Sequence, residues 1–478
     1  MVRVSHLVLA LLLVPVLAFS QKPTKPPTLE QALALTRSWL EVQRAYEGIP
    51  GMSVAIVHDQ ERVWSGGFGQ ADPASGRAAT DETLYSICSV SKLFTSIGVM
   101  QLRDAGKLRL DDPVAKHLPW FTLKPAEGGA PVTVEGLLTH SSGLPRESDY
   151  PYWTGEFLFP TREQIVARVD DQEALYRPST YFQYSNLGLT LAGELIAAAS
   201  GQPYDRYVRQ NVLDPLGLQN TFTEMPEIER GKRLAQGFSA ERRDGTRQPV
   251  SFFTARGIAP AAGFASTVND LARFASWQFR LLESGKTEVL NVHTLREMHR
   301  PQWVDPDFEL FWGLGFSTRK EGDSVVVGHG GSCPGFRTAL TMVPADEVAV
   351  VVMANANGVD TGKFASAIRS LVGPALEKKA DEKPALEGLP SYEPYLGSYD
   401  AFPWGGEMLV FAWGDHLGVI DLPTMDPAKE MELLRKTGDH TFRRVRKDGE
   451  LGESVVFEMG PDGRSTTLQW HSNVYPRM

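Results

Sequence analysis

The sequence is poor in three features that would each have indicated a particular class of protein. It has two cysteines in 478 residues, Cys88 and Cys333, too few for a disulfide-stapled scaffold and without the paired spacing of a zinc ribbon. Beyond Ser20, no stretch approaches the run of roughly 20 apolar residues that a membrane helix needs. The formal net charge of -10 provides no basic field to attract nucleic acid or an anionic membrane surface. We therefore expect neither partner.

Two short enzyme signatures are also missing. The α/β-hydrolase elbow G-x-S-x-G and the zinc signature H-E-x-x-H do not occur. What is present is the composition of a folded enzyme, with 42% hydrophobic and 22% charged residues, which is enough apolar material for a sizeable core. The length suggests two domains, or one large domain with an appendage.

The first 20 residues have the pattern of a signal peptide. A basic residue, Arg3, precedes an apolar run over residues 7–19, and small residues stand at Ala18 and Ser20. We expect residues 1–20 to be removed after Ser20, which leaves a soluble periplasmic or secreted protein with no membrane span. No cysteine follows closely, which disfavours a lipid anchor. An uncleaved anchor is the alternative.

Apolar periodicity predicts both helices and strands in residues 28–376. Helical spacing appears in three places, and a capping signal at Thr267 precedes a fourth helix. An early hairpin over 52–68 and several late strands complete the pattern. If early and late strands pair, the result is one antiparallel sheet with a helical insertion, an α+β fold. The predicted helices cover 29–46, 86–102 and 363–377, and the predicted late strands cover 314–317, 324–327, 339–343 and 348–353.

A charged stretch separates this region from a β-rich tail. Residues 377–387 are predicted to be a solvated linker. Residues 388–478 are predicted to form a small barrel or sandwich, because short alternating runs are separated by turn residues. The runs lie at 408–412, 417–420, 441–445, 454–459 and 466–470.

The first candidate catalytic motif is the tetrapeptide Ser89-Val90-Ser91-Lys92. Near a helix start, Ser89 and Lys92 would share one face, three residues apart. A serine hydroxyl is a weak nucleophile unless a base takes its proton, and a desolvated lysine with a lowered pKa can be that base. The helix N-terminus would add donors for an oxyanion. By itself, S-x-x-K occurs often by chance.

The second and third candidates lie far along the chain. Tyr184 and Asn186 sit in a loop that enters a helix, where a lysine ammonium can depress the phenol pKa and an amide can hold both a lysine and a substrate carbonyl. His329-Gly330-Gly331-Ser332 follows the strand-like run 325–327, and its glycines would let a substrate backbone lie close. A capped half-buried tyrosine and a turn with a surface imidazole are the plainer alternatives.

The order and spacing of these three motifs resemble the serine β-lactamase and penicillin-binding-protein superfamily, in its class C, esterase and D-aminopeptidase branch. Segments at 111–114, 137–145, 215–218 and 263–267 add to the likeness. The resemblance implies an α/β sheet beside a helical subdomain, and an acyl-enzyme formed without a metal or organic cofactor. It makes Ser89 the nucleophile, Lys92 the general base and Tyr184 the proton shuttle. Asn186 and the run His329, Gly330, Gly331 and Ser332 would contact substrate, with the amides of Ser89 and Ser332 as the oxyanion hole. The tail resembles a lipocalin-like domain.

One departure bears on the substrate. His329 stands where β-lactamases usually have the lysine of Lys-Thr-Gly, and an imidazole titrates near neutrality, so it binds carboxylates less reliably. We therefore favour cleavage of ester or D-amino-acid peptide bonds over efficient β-lactam hydrolysis. A β-lactamase proper, a sensor that acylates without turnover, and a ligand-binding role for the tail are the alternatives.

The two cysteines adjoin two of the motifs. Cys88 precedes Ser89 and Cys333 follows Ser332, so a disulfide beneath the site is conceivable in an oxidising compartment. Buried free thiols are the interpretation favoured by the sequence.

Overall fold

The computed structural model of the protein describes residues 25–124, 126–376 and 391–478. These residues divide into two compact units, a larger one within Leu33–Glu377 and a C-terminal one that combines residues 25–32 with residues 391–478. The predicted signal peptide and the predicted linker over 377–387 lie outside the described residues. No helix within the described ranges is long and apolar enough to cross a membrane.

The larger unit is built on a nine-stranded antiparallel sheet in the order β3-β2-β1-β11-β10-β9-β8-β7-β6, and β4 and β5 pair separately. The strands are β1 (Gly51–His58), β2 (Glu61–Asp72), β3 (Arg77–Ala78), β4 (Tyr85–Ser86), β5 (Ala265–Ser266), β6 (Trp303–Val304), β7 (Phe311–Trp312), β8 (Ser317–Glu321), β9 (Ser324–Cys333), β10 (Phe336–Val343) and β11 (Val348–Ala354).

Strands from the two ends of this unit meet in the middle of the sheet. β1 pairs with β2 through the predicted hairpin and with β11 on its other edge, where Met52 is opposite Ala354 and Val54 is opposite Val352. β1 is buried along nearly its whole length, which is why its sequence is an apolar run rather than an alternation. The prediction that early and late strands are neighbours is confirmed.

Helices flank the sheet and form the insertion. α9 contacts β1 and β11, α11 contacts β10 and β11, and α2, α6 and α8 pack on one another. The predicted cap is present, since the Thr267 side chain accepts a hydrogen bond from the backbone of Asp270 at the start of α9. The helices are α1 (Leu29–Tyr46), α2 (Ser91–Asp104), α3 (Val114–His117), α4 (Val134–Leu138), α5 (Arg162–Arg168), α6 (Asn186–Ser200), α7 (Tyr204–Val208), α8 (Ala259–Ala262), α9 (Val268–Ser284), α10 (Val292–His299) and α11 (Thr361–Leu376).

Two strand predictions in this unit need correction. Residues 314–316 are not a strand, because Gly315 adopts a left-handed φ of 87° and β8 begins only at Ser317. The strand predicted to end at Val327 continues as β9 to Cys333. The tripeptide His329-Gly330-Gly331 therefore lies within a paired strand, where it is opposite β10, and not in a turn after it.

The C-terminal unit contains eight antiparallel strands that pair in sequence order. A bridge between Tyr399 and Arg477 joins the first and last strands into a nearly closed barrel. Tyr399, Phe442 and Leu468 are fully buried in its core. All five predicted strands are present, and three more, β12, β15 and β19, were not predicted. The elements are β12 (Gly397–Asp400), β13 (Glu407–Trp413), β14 (His416–Leu422), α12 (Pro427–Glu430), β15 (Glu432–Lys436), β16 (Thr441–Val445), β17 (Leu451–Met459), β18 (Ser465–Trp470) and β19 (Asn473–Pro476).

Candidate active site

Ser89 lies in a single 3-10 turn, Cys88–Val90, directly before α2. Cys88 adopts a left-handed φ of 50°, a conformation uncommon for residues other than glycine. The neighbouring Ser91 holds this turn in place, since its hydroxyl donates to the Cys88 carbonyl and accepts from the backbone N–H of Phe264. The Ser89 side chain itself is half-buried. The turn thus presents one hydroxyl at the start of a buried helix.

Lys92 is brought to Ser89 by the first turn of α2. Its side chain is 1% exposed, and its Nζ lies 3.1 Å from the Ser89 Oγ. Burial lowers the pKa of Lys92 well below its ordinary value, and the charge of Arg146 lowers it further, while the carboxylate of Glu147 opposes the decrease. The amine is therefore neutral in a range of pH where a solvated lysine is charged.

The other contacts of Lys92 determine what its neutral amine can do. Nζ donates to the Asn186 Oδ1 and to the Ala261 backbone carbonyl, both at 2.8 Å. Both partners are oxygens that only accept hydrogen bonds, so they use both N–H groups of a neutral amine. Its lone pair is left to accept the proton of Ser89. This is the arrangement that general-base activation of a serine requires.

Tyr184 lies over the same amine, with the Lys92 Nζ 4.9 Å from the centre of its ring. The neighbouring Ser89 side chain acts to lower the pKa of the Tyr184 phenol, but less strongly than burial raises it. The expectation of a depressed phenol pKa is wrong, because burial raises the pKa of Tyr184 above its ordinary value. The phenol is accordingly protonated, and it can pass a proton on only while it receives another.

Asn186 is the first residue of α6, which begins beside Tyr184 because the Ser185 hydroxyl caps the helix by accepting from the Gly188 N–H. While the Asn186 Oδ1 faces Lys92, its Nδ2 donates to the Glu147 Oε1 at 2.7 Å. Glu147 did not emerge from the sequence. It follows the resembling segment 137–145 by two residues, and no spacing rule marks it.

His329 is buried inside β9, with 5% of its surface exposed. Its Nδ1 lies 2.7 Å from the Gly330 carbonyl. Burial is the main cause that lowers the pKa of His329 to about 3, and the charged form of Lys92 acts in the same direction. The expectation of an imidazole that titrates near neutrality is therefore wrong, and His329 supplies no positive charge near pH 7.

The two glycines after His329 differ in what they permit. A Cβ on Gly331 would lie 2.3 Å from the carbonyl oxygen of Ile87, whereas a Cβ on Gly330 would meet only the Thr338 carbonyl, at 3.9 Å. Only Gly331 is thus needed for β9 to approach the turn that carries Ser89. Ser332 follows in the same strand with its side chain exposed, and its role as an oxyanion donor stays a prediction.

Cys88 and Cys333 form a disulfide, with their Cα atoms 5.6 Å apart. The sequence-based preference for free thiols is therefore wrong. The bond joins the residue before Ser89 to the residue after Ser332, and both cysteines are buried. Sequence could not fix this distance, because it depends on how closely β9 approaches the turn.

A set of aromatic side chains surrounds these groups. The His140 ring lies 4.2 Å from that of Tyr184 and 5.0 Å from that of Trp312. The His140 Nδ1 accepts from the backbone N–H of Ser185, so the imidazole helps to fix the loop before α6.

Within the described ranges, no group of three or more His, Cys, Asp or Glu side chains could hold a metal ion.

A sequence profile of the Beta-lactamase family matches residues 37–372. This span includes Ser89, Lys92, Tyr184, Asn186 and His329. The chain belongs to the Beta-lactamase family. It is a serine hydrolase, and the superfamily resemblance predicted from the sequence is confirmed.

Individual relatives cover much of the chain. It is 28% identical to a human protein called putative beta-lactamase-like 1, over 78% of this chain and 75% of that one. It is also 28% identical to the D-alanyl-D-alanine-carboxypeptidase/endopeptidase AmpH of Escherichia coli, over 64% of this chain and 79% of the relative. In fold it is similar to an octameric penicillin-binding protein homologue from Pyrococcus abyssi, with a TM-score of 0.64 and 24% identity over 93% of this chain and 99% of that chain.

Proposed function

We propose that the protein is an exported hydrolase that cleaves ester or amide bonds, with D-amino-acid peptides as its substrate class, through an acyl-enzyme on Ser89. The observation that carries the proposal is the placement of the buried Lys92 Nζ, which lies 3.1 Å from the Ser89 Oγ and 2.8 Å from each of two carbonyl oxygens, those of Asn186 and Ala261.

In this mechanism the Ser89 Oγ attacks the substrate carbonyl carbon while its proton passes to the Lys92 Nζ. The backbone amides of Ser89 and Ser332 would stabilise the resulting oxyanion. When the bond to the leaving group breaks, the leaving group takes a proton from the Tyr184 hydroxyl, which is replenished from Lys92. Water then enters, loses a proton along the same path, and releases the acid and the free serine.

The choice of substrate follows from charge and from the relatives. His329 is uncharged, so it cannot hold a substrate carboxylate as the lysine of a Lys-Thr-Gly would. We infer that esters or D-amino-acid peptides are better substrates than β-lactams, and that a substrate carboxylate, where one is present, is held by a cation other than His329. The name of the Escherichia coli relative, a D-alanyl-D-alanine carboxypeptidase and endopeptidase, supports the same class.

Export and the role of the C-terminal unit are parts of the same proposal. The signal-like first 20 residues support a periplasmic or secreted location, and a disulfide between Cys88 and Cys333 suits an oxidising compartment. The nearly closed eight-stranded sheet supports a lipocalin-like C-terminal domain. Its interior is occupied by aromatic and aliphatic side chains such as Tyr399 and Phe442, which favours a packed barrel over a ligand carrier.

The test is mass spectrometry of the mature protein after exposure to a fluorophosphonate, a p-nitrophenyl ester and a β-lactam. Ser89→Ala is the test variant, and Ser370→Ala, an exposed serine on α11, is the matched control. We expect an adduct on Ser89 in the wild type and in Ser370→Ala, with turnover of the ester and not of the lactam. Rapid turnover of the lactam would make the protein a β-lactamase. A permanent adduct without turnover would make it a sensor, and no adduct with any probe would overturn the proposal.

A further inference from the structure

The hydrogen-bond chain of the site extends beyond Lys92 to a carboxylate that the mechanism above does not use. Glu147 lies in the loop after α4, with its side chain 22% exposed. Its Oε1 accepts from the Asn186 Nδ2 at 2.7 Å, and its Oε2 accepts from the hydroxyl of Tyr152. Tyr152 is buried, with 1% exposure. The Arg146 Nε lies 3.4 Å from the same Oε1, so the carboxylate is held by an amide, a phenol and a guanidinium.

The carboxylate determines which way the Asn186 amide points. An ionised carboxylate only accepts hydrogen bonds, so it requires the Nδ2 of Asn186 on its side. The Oδ1 must then face Lys92. If the amide turned over, Oδ1 would face the Glu147 carboxylate and Nδ2 would face the Lys92 Nζ. That arrangement would lose the hydrogen bond to the carboxylate and reverse the direction of the one with Lys92.

The amide orientation in turn directs the Lys92 amine. With the Asn186 Oδ1 and the Ala261 carbonyl each holding one N–H, the lone pair faces Ser89. With Nδ2 in the place of Oδ1, the lone pair would be drawn to that donor instead. A serine proton would then have no acceptor.

We propose that Glu147 is a positioning residue, which fixes the Asn186 amide so that the lone pair of Lys92 points at Ser89. The proposal rests on the proposed function in that it takes Ser89 as the nucleophile and Lys92 as the base.

A shift in the pH dependence of activity would distinguish this role from a purely structural one, because the shift depends on the charge of Glu147. The negative charge of Glu147 favours the ammonium form of Lys92, against the effect of burial. Activity requires the neutral amine, so it rises with pH as Lys92 loses its proton. Removing the Glu147 charge lowers the pKa of Lys92 and therefore moves this rise to lower pH. The other titratable or charged groups around the amine are Tyr184, His140, His329 and Arg146, whose Nε is ion-paired with the Glu147 Oε1 at 3.4 Å.

A merely structural role for Glu147 is the competing explanation. Its backbone carbonyl accepts from the Gln172 side chain, and its carboxylate ties Tyr152 to the loop. Replacing the side chain keeps the backbone bond but removes or weakens the contact with Tyr152, which would lower the stability of the folded protein. It would leave the pH dependence of the remaining activity unchanged.

Two variants separate the explanations. Glu147→Gln keeps an oxygen that can accept from Asn186 but removes the charge, and Glu147→Ala removes both. Asp149→Asn is the matched control, because it removes a carboxylate from an exposed position two residues along the same loop. The readouts are the rate of fluorophosphonate labelling at Ser89 and kcat/KM for a p-nitrophenyl ester, each measured across pH, together with the thermal midpoint.

We expect the acid limb of both rate profiles in Glu147→Gln to move to lower pH by on the order of one unit. In Glu147→Ala, kcat should fall by about 100-fold with KM little changed, since the base is misaligned. Asp149→Asn should match the wild type. Unshifted limbs in Glu147→Gln, or full activity in folded Glu147→Ala, would overturn the proposal. Wild-type protein that takes no label at Ser89 would instead overturn the proposed function on which it rests.

Discussion

Lys92 is the residue on which the chemistry depends most directly. Its replacement by alanine should lower kcat/KM for a p-nitrophenyl ester by about 10²- to 10⁴-fold, the usual loss when a general base is removed. Lys92→Arg should be no better, because a guanidinium does not deprotonate in proteins and cannot accept the Ser89 proton. The measurement is steady-state hydrolysis, with the thermal midpoint as a check on folding. An active Lys92→Arg enzyme would contradict the role of Lys92 as base.

Arg146, which is ion-paired with Glu147, is a cation beside Tyr184 that is suited to meet a substrate carboxylate. Its guanidinium lies 5.0 Å from the centre of the Tyr184 ring, and its side chain is 60% exposed. Because His329 is uncharged, we expect Arg146→Ala to raise KM about tenfold for a peptide with a free C-terminal carboxylate, the loss of one charged hydrogen bond. The same peptide with an amidated C-terminus is the control, and its KM should not change. Equal effects on both peptides would count against this role.

At this scale, the sequence could predict the residues that occur in short motifs at helix starts. Ser89 and Lys92 are three positions apart, and Asn186 begins α6 directly after a capping serine. Glu147 could not be predicted, because it acts through Asn186, which is 39 residues away along the chain. The pKa directions of Tyr184 and His329 could not be predicted either, since they depend on how deeply the fold buries each ring.

Among the elements, β9 is the one whose close approach shapes the site. Gly331→Ala would place a methyl group 2.3 Å from the Ile87 carbonyl oxygen. We expect it to lower the free energy of unfolding by about 1–3 kcal/mol, a usual cost of overpacking, and to slow Ser89 labelling. Gly330→Ala is the control for stability, because its Cβ meets only one atom, at 3.9 Å. Chemical denaturation of both variants measures the difference, and equal stabilities would contradict the close approach.

The elements that sequence patterns predicted well are those with long apolar runs. α1 occupies the predicted residues, Leu29–Tyr46, and β11 differs from its prediction by one residue. The pattern ended β9 too early because glycines are poor strand formers, while the ladder to β10 continues through them. β6 and β7 have two residues each, which is too short for a pattern in the sequence. They are strands because β6 pairs with β7 and β7 pairs with β8.

On the scale of the molecule, the disulfide is the covalent tie with the longest reach. It joins residues 245 positions apart, so its loss should lower the free energy of unfolding by about 2–4 kcal/mol. We expect the double variant Cys88→Ser, Cys333→Ser to show this decrease against the oxidised wild type in chemical denaturation. The wild type denatured under reducing conditions should match the double variant. No difference between oxidised and reduced wild type would mean that the bond does not form.

The central position of β1 governs the order in which the larger unit can assemble. One edge of β1 pairs with β2, which follows within a few residues. The other edge pairs with β11, about 300 residues later in the chain. A chain leaving the ribosome therefore holds an apolar strand with an open edge until almost the whole unit has been made. Closure over such a separation is slow, and an unpaired apolar edge invites aggregation. We expect such a nascent chain to fold correctly only if β1 stays unpaired and unaggregated until the synthesis of the larger unit is nearly complete.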